Sequence, residues 1–333
     1  MRAAAALVMT ALVGGLAGPA RAGDDDDARA WLARMTDALA TRNYDGLFTH
    51  STPRQTETMR IVHRVDAGGS TERLVSLDGN GREIIRTPSE VHAYLPDHHV
   101  VLVEPRTDEG SLLKALPAPG EHLEAHYQLK AGKGHRLLGR DVRLIEIRPL
   151  DGYRYGYRLW LDEKTAMPLR SEVSTVDGQP LEQMQFTQLE MYKSLKPEAV
   201  EPTVDAAGFR WMRSNRRVAE VRAAPGGWRP LKVPPGFQLV GTRQQTVPGV
   251  PMPVQHLVFS DGFASVSVFI EPGARNGSAP AEASRVGSAS TFTTHVRGFV
   301  VTAVGEVPPT TVRDLATSLV PEDAQGSIDT SKR

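Results

Sequence analysis

Between Thr58 and Glu104 the chain passes through a series of short apolar stretches, each closed by turn-forming residues, and no other feature narrows the fold as much. Met59, Ile61, Leu74, Leu77, Ile84, Ile85, Val91, Tyr94, Val100 and Leu102 recur at strand-like spacing. Asp66-Ala67-Gly68-Gly69, Asp78-Gly79-Asn80-Gly81, Thr87-Pro88-Ser89 and Pro96-Asp97 separate them. The pattern predicts an antiparallel meander. Such a sheet presents a continuous apolar face that a helix, a second sheet or a ligand must cover.

Ahead of the meander, Ala3 to Gly18 form an apolar run broken by Thr10 and followed by Ala20-Arg21-Ala22, a small-x-small cleavage pattern. A membrane-spanning helix needs about 20 apolar residues; this run is shorter and meets the acids Asp24 to Asp27, so residues 1–22 are expected to be a cleaved secretory signal peptide. The chain has no cysteine. That excludes disulfides, a thiol nucleophile, a cysteine-bound metal and N-terminal lipidation. No later stretch is apolar enough to span a bilayer, which places the mature chain in the periplasm. Lys and Arg total 39 against 39 Asp and Glu, and losing Arg2 and Arg21 with the leader leaves it slightly acidic. Charge and compartment both argue against a nucleic-acid partner.

The roughly 310 residues that remain exceed one typical core and suit two domains. An amphipathic helix opens the first, with Trp31, Leu32, Met35, Ala38 and Leu39 on one face and Asp24 to Asp27 just before it, at the positive end of its dipole. Ser111 to Leu116 and Gly120 to Leu129 read as short helical pieces around Pro117 and Pro119. From Tyr153 to Leu161 the odd positions are Tyr or Leu and the even ones mostly Arg, a strong period-two signal. Two further strands, Leu169 to Val176 and Glu182 to Leu189, flank the turn Val176-Asp177-Gly178-Gln179. The expected first domain, residues 23–195, is a large, strongly curved antiparallel sheet with helices against its concave side.

Residues 196–227 lose all periodicity and are punctuated by Pro197, Pro202, Pro225, Gly226 and Gly227. Arg210, Arg213, Arg216, Arg217, Arg222, Arg229 and Lys232 make the neighbourhood basic, suited either to phosphates and acidic partners or to a solvated linker. A smaller α+β unit, residues 228–320, follows. His256 to Phe259 and Phe263 to Ile270 flank the turn Ser260-Asp261-Gly262, Thr291 to Val304 bend at Gly298, and Thr310 or Thr311 caps a helix burying Val312, Leu315, Ala316 and Leu319. Residues 321–333 read as a disordered tail.

Catalytic chemistry finds little support. His122 and His126 stand one helical turn apart, yet Glu124 is out of place for a zincin and no third ligand is evident. His92, His98 and His99 cannot share one face of a strand. Nucleophile elbow, phosphate loop and Ser-x-x-Lys are all missing. The reading is a binding or regulatory protein that uses no metal and no cofactor.

Several separated motifs then point to a family. Met59-Arg60-Ile61-Val62-His63-Arg64-Val65-Asp66, Glu72-Arg73-Leu74-Val75-Ser76-Leu77-Asp78-Gly79 and Arg82-Glu83-Ile84-Ile85-Arg86 resemble the RseB/MucB family of periplasmic negative regulators of the sigma-E envelope-stress response. So do Tyr44-Asp45-Gly46, Tyr157-Arg158-Leu159-Trp160-Leu161-Asp162, Met167-Pro168-Leu169-Arg170 and Gln185-Phe186-Thr187. In the smaller unit Pro235-Gly236-Phe237, Phe259-Ser260-Asp261-Gly262 and Val304-Gly305-Glu306-Val307-Pro308 match as well. The extra prolines in Arg229-Pro230-Leu231-Lys232-Val233-Pro234 depart from the pattern and blur where the small domain starts.

The resemblance implies an α+β protein: a half-open β-barrel similar to lipoprotein carriers, joined to a smaller α+β domain. It implies binding to the periplasmic domain of a membrane-spanning anti-sigma factor, protection of that domain from the site-one protease, and release by lipopolysaccharide or another acyl lipid. On this reading Ile61, Leu74, Tyr94, Leu102, Tyr155 and Trp160 line an acyl-chain surface, and Arg210, Arg213, Arg216 and Arg217 meet lipid phosphates. Trp228, Phe237, Phe259 and Phe263 are the candidate anchors for the protein partner. Plain packing competes with each of these roles. A periplasmic lipid or lipoprotein carrier is the alternative function, a hydrolase would need a cluster that is not visible, and association with a second copy of the chain is left open.

Overall fold

The computed structural model describes residues 22–79, 81–106, 123–213, 227–245, 254–273 and 281–322. The helix α1, Ala22–Thr41, buries Ala28, Trp31, Leu32, Met35, Ala38 and Leu39, the one-sided stripe that three- and four-residue spacing dictates. It starts at Ala22, so Asp24 to Asp27 occupy its first turns rather than preceding it.

The large sheet is built from β1 Asn43–Ser51, β2 Thr56–Asp66, β3 Gly69–Ser76, β4 Glu83–Arg86, β5 Glu90–Leu95, β6 Val100–Pro105, β7 Tyr127–Leu137, β8 Arg140–Pro149, β9 Gly156–Asp162, β10 Pro168–Ser174, β11 Pro180–Tyr192 and β12 Arg210–Arg213. Its order is β12-β6-β5-β4-β3-β2-β1-β11-β10-β9-β8-β7. The two end strands do not pair, so the sheet stays a half-open barrel. Every neighbouring pair is antiparallel except β12 on β6. The two meanders meet where β1 pairs with β11, Asn43 opposite Tyr192 and Ser51 opposite Gln183. α1 lies against β7 and β8, and the inner core joins its stripe to Tyr44, Phe48, Ile61, Tyr127, Ile145, Leu159, Leu161, Phe186 and Leu189.

Gly46 sits in that core. A Cβ there would lie 2.4 Å from Phe186 Cε1 and 3.1 Å from the Gln188 carbonyl oxygen, and Phe186 is fully buried. Gly46→Val is expected to cost about 1–3 kcal/mol, the usual penalty of overpacking a filled core, read as a lower urea midpoint with an unchanged slope.

Residues 196–213 are not a free linker. Val204, Ala206 and Phe209 pack on Ile85, Tyr94, Val101 and Val103 of the outer sheet face, and β12 then adds to the sheet edge. Two local expectations also give way. Tyr127 to Leu129 begin β7 instead of ending a helix, and Ser111 to Leu116 lie outside the described residues. Tyr153 to Tyr155 leave the strand pattern: Tyr153 and Arg154 meet the second domain, and Tyr155 turns into the core of the first.

That domain carries β13 Trp228–Pro230 paired with β20 Leu319–Pro321, and a sheet of β14 Gln238–Gln245, β15 Val254–Ser260, β16 Ser265–Pro272, β17 Glu282–Val286, β18 Ala289–Val296 and β19 Phe299–Gly305 in the order β14-β15-β16-β19-β18-β17. α2, Pro309–Ser318, covers β16, β18 and β19. Val312, Leu315 and Ala316 of α2 and the following Leu319 are buried. The turn at Asp261-Gly262 and the bend at Gly298, φ +84°, fall where the sequence puts them. Pro308 rather than a threonine precedes α2, and the Thr311 hydroxyl donates across the domain boundary to the Tyr153 carbonyl oxygen, 2.8 Å.

Candidate binding face and the seam between the domains

Strand register places Ile61 opposite Leu74, Leu74 opposite Ile84, Ile84 opposite Ala93, Ala93 opposite Leu102 and Leu102 opposite Met212. Directly opposed residues share a face, so these six form one apolar row across six strands, on the inner side. Ile61 is fully buried, Leu74, Ile84, Ala93 and Leu102 are half-buried, and Met212 is 46% exposed. The row therefore runs from the packed core out to the sheet edge. A surface of this kind holds a chain of methylenes, each worth about 0.8 kcal/mol when taken out of water.

Beside it runs a charged row. His63 faces Glu72, and Glu72 faces Arg86; the side chains are 2%, 1% and 4% exposed, with Arg86 Nη1 3.2 Å from Glu72 Oε2. His63 Nδ1 donates to the Arg42 carbonyl oxygen, 2.6 Å, and its ring stacks on Tyr44 at 4.9 Å. Buried charges persist only when paired in this way. They fix the register of the strands that carry the apolar row.

Of the lining residues expected from the sequence, Ile61, Leu74 and Leu102 fall on this row. Tyr94 and Trp160 do not. Tyr94 faces outward, under Phe209 and its neighbours, with its ring 6.1 Å from Trp211. Trp160 lies on the opposite face of its strand from Leu159 and Leu161, buried at the margin of the same core beside its strand partner Arg170, whose guanidinium lies 4.4 Å from the indole. Tyr155 is buried in the inner core ahead of β9. Arg210 and Arg213 are exposed on β12, and Arg213 is paired with Glu90 at 2.8 Å. Arg216 and Arg217 lie outside the described residues. Ile84, Ala93 and Met212 belong to the row without having been singled out.

The four aromatics read as partner anchors are not on the surface. Trp228, Phe237 and Phe259 are at most 5% exposed in the core of the small domain. Phe263 is half-buried and enters the large domain, its ring 4.9 Å from Tyr127 and 5.2 Å from Tyr157. Burial pushes both tyrosine phenols well above their usual range. Tyr153 does the reverse, packing against the small-domain core. The seam is thus an exchange of aromatic side chains.

Arg154 is its centre. Fully buried, it donates from Nε to Asp261 Oδ2, from Nη1 to Asp151 Oδ2 and from Nη2 to the Pro235 carbonyl oxygen, each at 2.5 Å. Its guanidinium also lies 4.9 Å from the Phe237 ring. Asp261 Oδ1 accepts from the amides of Phe263 and Ala264, at 2.9 and 2.7 Å. One carboxylate therefore shapes the β15–β16 turn and anchors the domain contact.

Among the described residues, no group of three or more His, Cys, Asp or Glu side chains is placed to hold a metal, and no helix is long and apolar enough to cross a membrane. A half-open sheet with an apolar inner row, locked to a second α+β unit through a buried arginine, defines a two-domain binding protein. Its sequence matches the MucB/RseB N-terminal domain over residues 27–204 and the MucB/RseB C-terminal domain over residues 222–320. The chain belongs to the MucB/RseB family.

Among its relatives is the sigma factor AlgU regulatory protein MucB of Pseudomonas aeruginosa, 31% identical over 90% of this chain and 92% of the relative. The sigma-E factor regulatory protein RseB of Escherichia coli is 25% identical over 93% and 96%. Among solved structures, MucB in complex with MucA(peri) superposes with a TM-score of 0.68 at 29% identity, covering 89% of this chain and 99% of that one. A further Pseudomonas aeruginosa MucA/MucB complex gives 0.69 at 28% with the same coverage. A further crystal structure of MucB gives 0.60 at 29%, covering 89% and 98%.

Proposed function

We propose that this protein is a periplasmic regulator that binds the periplasmic domain of a membrane-spanning anti-sigma factor, shields it from the site-one protease and so restrains a sigma-E-type factor. The observation that carries this reading is correspondence over both domains, at a shared fold, with MucB bound to MucA(peri). The apolar inner row supports a second element: an acyl lipid such as lipopolysaccharide occupies Leu74, Ile84, Ala93 and Leu102 and favours the partner-free state. A lipid can move that equilibrium only by its differential affinity for the two states. Export depends on the leader at residues 1–22, removed after Ala22.

A protease-protection assay tests the proposal. The mature protein, the periplasmic domain of the cognate anti-sigma factor and the activated site-one protease are mixed with and without lipopolysaccharide. Slowed cleavage that lipid restores is the expected result. Acyl-chain uptake with cleavage unchanged would instead favour a lipid or lipoprotein carrier, the reading that the inner row supports by itself.

A further inference from the structure

Besides the Arg154 contacts, a single carboxylate spans the two domains. Glu182, on β11 of the large sheet, has Oε2 3.5 Å from His50 Nε2 on β1. Its Oε1 accepts the Ser288 backbone amide, 2.7 Å away in the β17–β18 turn of the small domain. The turn is shaped for this contact. Gly287 has φ +59°, and a Cβ on it would stand 2.0 Å from Glu182 Oε1, so only glycine lets the carboxylate reach the amide. The imidazole faces three acids: Glu182, Glu57 on β2, which Arg82 also engages at 3.4 Å, and Glu306, which follows β19 in the small domain.

We infer that His50, Glu182 and the Ser288 amide form a proton-operated clamp between the domains, closed firmly while the imidazole is charged and loosened when it becomes neutral.

The electrostatics agree in direction. The hydrogen bond to Glu182 raises His50 above its ordinary 6.5, against the effect of burial. For Glu182 burial acts against the charge, but the bonds from His50 and Ser288 outweigh it and hold the carboxyl below its ordinary 4.5. Partial desolvation in the cleft and the like charge of Glu182 raise Glu306. The sign follows from linkage. The raised His50 contributes fully below 6.5, and its contribution is lost as pH climbs through its folded value. The depressed Glu182 contributes above 4.5 and is lost as pH falls through its own. Once the ring is neutral, the Glu182 carboxylate faces it without a cationic partner. The clamp is firmest in mildly acidic solution and slackens towards alkaline pH, whatever partner the protein binds.

Backbone NMR of the full mature chain between pH 5 and pH 8.5 reads this directly. The Ser288 amide resonance, in one domain, should shift with the same midpoint as the His50 ring proton in the other, and that midpoint should lie above 6.5. In His50→Gln the Ser288 shift should be flat over the same interval. In Glu306→Gln, which keeps the imidazole and removes one of its acids, both midpoints should move down together. A Ser288 amide indifferent to pH in the unaltered protein, or one that titrates equally in His50→Gln, overturns the clamp. If His50→Gln fails to fold, the unaltered protein and Glu306→Gln still decide: midpoints that do not move together overturn it.

Discussion

Replacing Arg154 with alanine is expected to destabilise the protein by about 3–5 kcal/mol, because it leaves the Asp261 carboxylate buried without its partner. Arg154 and Asp261 are both at 0% side-chain exposure, so the pair lies in the low-dielectric interior where a lone carboxylate is costly. The guanidinium also satisfies Asp151 and the Pro235 carbonyl oxygen, three acceptors approached from three directions. A planar fork can do that and an ammonium cannot, so Arg154→Lys should recover only part of the loss. The contacts join residues 151, 154, 235 and 261, which lie on both sides of the domain boundary. Urea unfolding followed by Trp fluorescence and by circular dichroism should therefore change from one coincident transition to two. A single transition within about 1 kcal/mol of the unaltered protein would show that the aromatic exchange of Tyr153 and Phe263 holds the domains without the arginine.

Arg154 also shows where sequence reasoning reaches its limit. Within Tyr153 to Leu161 the alternation identifies a strand, and residues 156–162 form one. The same alternation wrongly carries the strand back to Tyr153. Two of the three residues it claims in excess, Tyr153 and Arg154, are held by Thr311, Asp261 and Pro235, all more than 80 positions away, and a local period carries no trace of such partners. The aromatics failed for a related reason. Trp228, Phe237 and Phe259 have the residue types of interface anchors, yet the same types fill cores, and only the folded small domain says which role they take.

Register tells the opposite story. Asp66-Ala67-Gly68-Gly69 is a two-residue hairpin, Asp66 pairing with Gly69, and a short turn fixes every pair behind it. That turn places Ile61 opposite Leu74. Between β3 and β4 the connection lengthens, so the partner of Leu74, which is Ile84 rather than Ile85, was not determined. An error of one residue there exchanges the inner and outer faces. Tyr94 illustrates the cost: the apolar spacing identifies its strand but does not say that it faces outward. Met212 lay further out of reach, because it joins the row through the parallel strand β12, formed by a stretch whose prolines and arginines resemble a linker.

What holds that stretch in place is Glu83, and its removal should have the second large effect. Glu83 is fully buried and lies on the outer face beside Arg73, which donates to it from Nε. Its Oε2 accepts the backbone amides of Thr203 and Val204, at 2.9 and 3.1 Å. Glu83→Ala removes a charged acceptor from two main-chain donors and an arginine that is only 12% exposed, at an expected cost of about 3–5 kcal/mol. Glu83→Gln keeps a carbonyl for one of those donors and should lose less, about 1–3 kcal/mol. The effect should be local first. In hydrogen exchange, residues 203–213 should lose protection in Glu83→Ala at denaturant concentrations where β1 and β11 remain protected. Met212 would then leave Leu102 and the apolar row would end one strand earlier, while the Arg213–Glu90 pair, exposed and weak, could not hold β12 alone. Uniform loss of protection across the sheet, with residues 203–213 no worse than β1, would mean that this segment is held by Val204, Ala206 and Phe209 against the outer face and not by the buried carboxylate.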